Sequence, residues 1–459
     1  MSTGAAAGSR DKEAGAYHYQ RHQPENTLLY QIVERYYPEF TAYLAEQGAV
    51  LPRYVQREFE AYLKCGRLEH GFLRVQCNNC HAEHLVAFSC KCRGFCPSCG
   101  ARRMAESAAL LTDEVLPEQP VRQWVLSFPY PLRFLFASQP AVMTAVLGIV
   151  YRAIATHLVH KAGYTRKGAH TGAVTLIQCF GSALNFNIHF HMLFLDGDYI
   201  VGTKGASARF HRVDEPSSAE LTQVVHKIAH RVSRYLERQG WLERDAENGY
   251  LALDAADDDP LSVLQGHSIT YRIALGPQAG RKVFTLQTLP PVDIDETASG
   301  TVGQVGGFNL HAGVAVRADQ RRKLERLCRY ITRPAVSERR LSLTAQGKVR
   351  YQLKTPYRDG TTHVIFEPLD FISRLAALVP KPRVNLTRYH GVFAPNSQHR
   401  ALVTPARRGR GHKAAGAGAE EAPPVERRAA MSWAQRLKRV FDIDIETCRV
   451  CGGSMKVIA

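Results

Sequence analysis

Two Cys-x-x-Cys pairs fifteen residues apart, Cys77-x-x-Cys80 and Cys96-x-x-Cys99, constrain this chain most. Two short knuckles that each present two sulfurs make a tetrahedral four-thiolate zinc site. Such a site has no open coordination position, so it folds a segment and docks it but does not catalyse. Arg93-Gly94-Phe95 before the second pair, and Pro97-Ser98 inside it, suit tight turns. Cys90 and Cys92, with His81 and His84, can hold a second ion, exchange with the first four, or be small buried groups. Of eleven cysteines, seven lie between Cys65 and Cys99 and two, Cys448 and Cys451, sit far downstream. Two sulfurs cannot close a site alone, so that last pair stays open, and Cys65, Cys179 and Cys328 read as packing. A chain of 459 residues with no export signal is no disulfide scaffold; reduced thiols and metal are expected, in a cytoplasmic setting.

Charge narrows the partner. Lys and Arg number 59 against 42 Asp and Glu, a net +17 that favours a polyanion. The longest apolar stretch, residues 140–151, falls short of the ~20 residues of a membrane span, so no membrane partner is expected. At ~100–200 residues per domain the length allows two or three domains.

Periodicity divides the chain. Residues 1–16 read as a disordered leader. Residues 26–68 are helical, with Leu28, Leu29, Ile32, Val33 and Tyr36 on one face, a break at Pro38 and a restart at Phe40. Another helix is expected over about 102–115, a strand at 124–128 and a helix over 141–161. Strands follow at 173–179 and 187–195. Residues about 205–300 hold one helix among turns and short strands, the texture of an insertion. A helix covers 318–332, and strands with one helix run through 349–379. Residues 402–431, rich in Arg, Gly, Ala, Glu and Pro, read as a linker, and residues 433–459 begin as a helix.

The segment Asn185-Phe-Asn-Ile-His189-Phe-His191-Met-Leu-Phe-Leu195 carries chemistry. Side chains alternate on a strand, so His189 and His191 share one face about 7 Å apart at Cα, while Ile188, Phe190, Met192 and Phe194 take the other. A lone histidine there would be a core residue; two at this spacing can hold one ion. Gln178, eleven residues before His189, returns beside the pair if a hairpin joins the two strands, with Asp196 and Asp198 as fallback third ligands. Two imidazoles and one oxygen leave open positions, which suits Mg²⁺ or Mn²⁺ recruited by a phosphate.

An ion beside a basic surface points to phosphodiester chemistry. The sequence has no paired acidic cluster for a two-metal nuclease, and Gly303-x-x-Gly306-Gly307 lacks the lysine of a nucleotide loop. Tyrosine remains as a covalent acceptor. Tyr330 lies in the last turn of an amphipathic helix at the border of its apolar stripe, flanked by Arg329 and Arg333, which can hold DNA phosphates. Arg102 and Arg103, just past the cysteines, can do the same or form a solvated face. Taken by itself, a tyrosine at a helix end is ordinarily a packing residue.

Several motifs together resemble a known family. These are Ser89-Cys-Lys-Cys-Arg-Gly-Phe-Cys-Pro-Ser-Cys-Gly100, the segment from Ile177 to His191, Cys328-Arg-Tyr330-Ile-Thr-Arg-Pro334, Leu353-Lys-Thr-Pro-Tyr-Arg-Asp-Gly-Thr-Thr362 and Arg388-Tyr-His-Gly-Val-Phe-Ala-Pro395. Over residues 25–400 the chain resembles rolling-circle insertion-sequence transposases of the HUH class, in a single-tyrosine, ISCR-like branch. Arg326 and Pro334 stand where a second tyrosine four residues away would lie. The resemblance implies an α+β fold: an antiparallel-sheet nuclease domain flanked by helices, preceded by a helical, zinc-ribbon-like DNA-binding domain. It implies a structural Zn²⁺, a catalytic Mg²⁺ or Mn²⁺ held by His189, His191 and Gln178, and Tyr330 as nucleophile. The expected organisation is residues 17–118 for DNA recognition, 119–400 for the nuclease with an insertion at about 205–300, 401–431 as linker and 432–459 as a short helix with Cys-x-x-Cys. The expected partners are single-stranded or hairpin element ends and target DNA in the bacterial nucleoid. A plasmid replication initiator or relaxase with the same chemistry, and a non-catalytic zinc-dependent regulator, are the alternative readings.

Overall fold

The computed structural model of the chain describes residues 23–201, 208–244, 249–251, 259–291, 302–406, 435, 438–439 and 446–458. The leader expected at 1–16, most of the 401–431 linker and most of the helix expected after 432 lie outside the described residues. The chain divides into two compact units: one joins Gly66–Phe88 to Met431–Ala459, and the other comprises Gln23–Cys65 and Ser89–Ala430. In the first, Phe72–Cys77 is the middle strand of three, paired antiparallel with Glu83–Ala87 and Met455–Val457.

The larger unit begins with α1 (Leu28–Glu46) and α2 (Arg53–Lys64). The Thr27 side chain caps α1 by accepting from Tyr30 N–H. Pro38 was expected to break this helix, but α1 runs through it and stops only at Gln47. Pro38 and Glu34, whose carbonyl loses its helical donor there, both face solvent, so water can satisfy the group. The stripe of Leu29, Ile32, Val33, Phe40 and Leu44 stays buried on both sides of the proline. The next helix, α3 (Pro97–Leu110), starts directly after Cys96 and puts Cys99 in its first turn.

Beyond it lie α4 (Tyr130–Ser138), α5 (Pro140–Lys161), α6 (Ser218–Arg238), α7 (Pro260–Ile269), α8 (Arg321–Ile331) and α9 (Pro368–Ala377). They surround a six-stranded, wholly antiparallel sheet. Its order is Val302–Val305, Phe308–Val316, Val121–Ser127, Phe186–Leu195, Gly172–Phe180, Thr387–Gly391. A second antiparallel sheet orders Phe284–Gln287, Thr361–Phe366, Val349–Gln352 and Leu341–Leu343. The fold is α+β with antiparallel sheets.

Two faces of the large sheet meet two different cores. Trp124, Leu126, Ile188, Phe190, Met192 and Phe194 pack with buried residues of α4, α5 and α6. Val174, Leu176, Leu193 and Leu195 pack with Leu324, Cys328 and Ile331 of α8 and with Ala108 of α3. The helix α5 is long and apolar enough in composition to cross a membrane, yet most of it is buried inside this core. From the stretch read as an insertion, α6 buries Leu221, Val224, Val225, Ile228, Val232 and Leu236 behind a capping box formed by Ser217 and Glu220.

Phe190 is fully buried and meets Phe128 edge-on at 4.9 Å between ring centroids. Phe190→Ala should cost about 3–5 kcal/mol of stability, checked by urea unfolding of the full chain followed by tryptophan fluorescence.

Candidate active site and cysteine centres

One row of the sheet, read across four strands, is Asn309, Ser127, His189 and Gln178. His191 lies in the next row of the same face, opposite Val125 and Leu176. The strand before the histidines ends at Phe180 and the chain reverses through residues 181–185, with Leu184 in the left-handed region at φ +57°. This tight return sets Gln178 directly opposite His189.

The two rings converge. His189 Nε2 lies 3.1 Å from His191 Nε2, with ring centroids 4.8 Å apart. His189 Nδ1–H donates to the Asn187 carbonyl at 2.9 Å, which leaves Nε2 with its lone pair. The Gln123 amide meets His191 Nδ1 at 2.7 Å; turned to accept Nδ1–H through its oxygen, it leaves His191 Nε2 bare as well. Burial, reinforced by the positive charge of Arg333 and Arg133, holds the His189 pKa down at about 4. Burial, then His189 and Arg333, hold His191 at about 2. Both rings are therefore neutral near pH 7, the state a metal ligand needs.

Oxygen atoms complete the face. Gln178 is buried, donates through Nε2 to the Ile331 carbonyl at 3.2 Å, and leaves Oε1 without a partner among the described residues. Asn187 Oδ1 and Asn309 Oδ1 are likewise buried and unpartnered. Asn187 stands two residues before His189 on the same strand, and Asn309 stands in its row. Orphaned carbonyl-type oxygens beside two neutral imidazoles suit a hard divalent cation. Asp196 and Asp198, the fallback third ligands, lie beyond the far end of the strand, and Asp196 is held by Arg122 at 2.9 Å. That removes Asp196 and Asp198 as candidates. The sequence reading did not single out these two asparagines, Asn187 and Asn309, although Asn187 has the same two-residue spacing to His189 that His191 has.

Tyr330 faces this pair. Leu324, Cys328 and Ile331 are the buried stripe of α8, and Tyr330 sits beside it, 40% exposed. Its ring centroid is 6.4 Å from that of His191, at 85° between planes. Arg333 lies 4.4 Å and Lys354 4.0 Å from the Tyr330 centroid. Lys354 belongs to the 353–362 motif, whose role the sequence left unassigned. Of the other arginines chosen for phosphates, Arg329 pairs with Glu325 at 2.7 Å, and Arg103 donates to the Lys91 and Cys92 carbonyls at 2.9 and 3.1 Å. Arg102 is half-buried on α3. A cavity of about 320 Å³ opens beside Gln178, with Arg93, Arg103, Phe180, Arg333 and Asn385 in its walls.

The cysteines do not combine as their spacing predicts. The set Cys77, Cys80, Cys96 and Cys99 is divided. Cys96 and Cys99 gather with Cys65 and Cys90, and Cys77 and Cys80 gather with Cys448 and Cys451, the sulfurs of each group lying within 4.8 Å of one another. Cys92 joins neither group and donates to the Cys90 carbonyl at 3.5 Å. Cys65, read as packing, stands 3.8 Å from Cys99 and 3.9 Å from Cys96. The reason is the hairpin that runs from Phe72 to Ala87: it carries Cys77 and Cys80 at its turn, while Gly66 and Phe88, hydrogen-bonded at 2.8 Å, close its opposite end. Cys65, Cys90, Cys96 and Cys99 fit a tetrahedral zinc, whose sulfurs would lie about 3.8 Å apart at ~2.3 Å Zn–S bonds.

Compared with known families, the sequence matches the family described as Putative transposase over residues 172–401. It also matches the IS91-type Transposase zinc-binding domain over residues 32–128. No curated protein and no solved structure matches the chain.

The buried histidines predict acid sensitivity. Below about pH 6.5 the unfolded chain protonates both rings, whereas the fold resists until about 4 and 2. The unfolded state then binds more protons, so the stability present above about pH 6.5 is lost as pH falls towards 4. Urea unfolding at about pH 7 and about pH 4.5 should show a larger loss for the wild type than for the His189→Gln/His191→Gln variant.

Proposed function

The chain belongs to the transposase family matched by its residues 172–401, with an IS91-type zinc-binding domain ahead of it, and we propose that it cleaves and rejoins single-stranded DNA at the ends of a mobile element by HUH-class, rolling-circle chemistry. The observation that carries this reading is the Tyr330 ring, 6.4 Å from His191 and flanked by two cations, on the open side of a neutral histidine pair. A core tyrosine would be buried; this one is exposed to an incoming strand.

In this mechanism Tyr330 Oη attacks the scissile phosphorus and gives up its proton. The P–O3′ bond breaks, the 3′ oxygen leaves as a hydroxyl, and the 5′ phosphate stays on the tyrosine. The new ester conserves the bond energy, so a later 3′-hydroxyl can reverse the step at another site without ATP. Arg333 and Lys354 supply positive charge where the phosphate oxygens gather. Mg²⁺ or Mn²⁺ held by His189, His191 and the Gln178 oxygen would polarise a non-bridging oxygen. Gln178, bonded to the Ile331 carbonyl, also ties the end of α8 to the sheet and so steadies Tyr330. The arginine-walled cavity beside Gln178 suits a nucleotide flanking the cleaved bond. With Arg326 and Pro334 four residues to either side, each chain has one nucleophile.

Tyr330→Phe should abolish the covalent adduct with an element-end oligonucleotide, and mass spectrometry of the wild-type adduct should find the nucleotide on the peptide containing Tyr330. An adduct formed by Tyr330→Phe would sink the assignment. Gln123→Leu should weaken Mn²⁺ binding about 10–100-fold in calorimetry by releasing the His191 tautomer, with circular dichroism unchanged.

A further inference from the structure

We propose that Cys77, Cys80, Cys448 and Cys451 bind a second structural zinc ion, closing a zinc ribbon from two segments that lie more than three hundred and fifty residues apart in the chain. The inference goes beyond the transposase reading and does not depend on it. The match to a zinc-binding domain ends at residue 128 and includes neither Cys448 nor Cys451.

The two Cys-x-x-Cys turns are built alike. Asn79 N–H donates to Cys77 Sγ and Val450 N–H to Cys448 Sγ, both at 3.4 Å. His81 N–H returns to the Cys77 carbonyl at 3.2 Å, and Gly452 N–H to the Cys448 carbonyl at 2.9 Å. Cys77 N–H reaches the Ala82 carbonyl at 2.9 Å, and Cys448 N–H the Gly453 carbonyl at 2.7 Å. His81 and Gly452, at the same place in each turn, share the left-handed conformation, φ +58° and +72°. Each turn therefore repeats the other bond for bond, with backbone N–H groups aimed at sulfur as a thiolate requires.

The turns also face each other. Cys77 Sγ is 3.5 Å from Cys451 Sγ, and Cys80 Sγ 3.5 Å from Cys448 Sγ. These separations are far above the ~2.05 Å of a disulfide and near the ~3.8 Å edge of a zinc–thiolate tetrahedron. Asn78 N–H bonds the Ser454 carbonyl at 2.9 Å, and Met455–Val457 pairs with Phe72–Cys77, so the backbone joins the segments in the register that brings the sulfurs together.

Among the described residues of this unit apolar burial is slight. Among its described residues only Cys77 and Cys448 are buried apolar side chains, while Phe72, Leu85, Phe88, Val450 and Val457 are exposed. Three short strands with so little apolar burial among their described residues gain folding free energy from a metal bound only by the folded arrangement. Cys80 and Cys451 are exposed, in contrast to the buried Cys65, Cys96 and Cys99. The two ions should therefore differ in their access to chelators.

Elemental analysis of the full-length protein tests the proposal. Two zinc ions per chain are expected, one per chain in Cys448→Ser/Cys451→Ser, and two in His81→Gly, because His81 occupies a turn position and not a ligand position. Cobalt substitution gives a second readout: Cys448→His/Cys451→His should keep two ions with altered thiolate-to-cobalt absorption. A chelator should remove one ion quickly and expose Cys80 and Cys451 to alkylation, with the other ion leaving slowly. One zinc in the wild type, or two retained in Cys448→Ser/Cys451→Ser, would overturn the proposal. DNA cleavage enters none of these measurements, so they can fail without touching the transposase reading.

Discussion

The strict two-residue alternation of the strand Phe186–Leu195 is the constraint on which the rest of the larger unit depends. It is paired on both edges, with Val121–Ser127 and with Gly172–Phe180, so its backbone groups are committed and its side chains must divide between two faces. Burying Ile188, Phe190, Met192 and Phe194 on one side contributes about 1.5–3 kcal/mol for each side chain. A slip of one residue would exchange these for His189 and His191, so the apolar face locks the register. The histidines reach a common face because Phe190 between them, with Ile188 and Met192 on either side, is held on the other.

That register propagates outward. It puts Gln178 opposite His189, and Gln123 within reach of His191. It also leaves Val174, Leu176, Leu193 and Leu195 as the bed on which the stripe of α8 lies. The stripe turns Tyr330 to its own border, near the histidine pair and exposed to solvent. Neutral imidazoles, orphaned oxygens and flanking cations are consequences of burying this one polar patch between a sheet and a helix.

Much of this was readable from local patterns. The shared face of His189 and His191, the return of Gln178 and the helix ending near Tyr330 each follow from period or hairpin length, which are local properties of the backbone. Pro38 misled because the helix rule treats a proline alone, whereas α1 is held on both sides of it by one buried stripe. The place of Asn309 in the row of His189, and the contact of Lys354 with Tyr330, were not readable for another reason: both join segments distant in the chain, and no local spacing marks such a meeting.

The cysteines show where the division falls. The sequence by itself determined that Cys77-x-x-Cys80, Cys96-x-x-Cys99 and Cys448-x-x-Cys451 are candidate metal turns, because a knuckle is a matter of four or five consecutive residues. It also determined the polarity of the histidine strand and the basic excess that favours DNA. Only the tertiary structure decided which turns combine. Thiolates bond to a metal without regard to sequence separation, so the partner of a knuckle is chosen by the hairpin that holds it and the strand that pairs with it. The same holds at Tyr330, whose neighbours His191 and Lys354 are brought within reach only by tertiary packing.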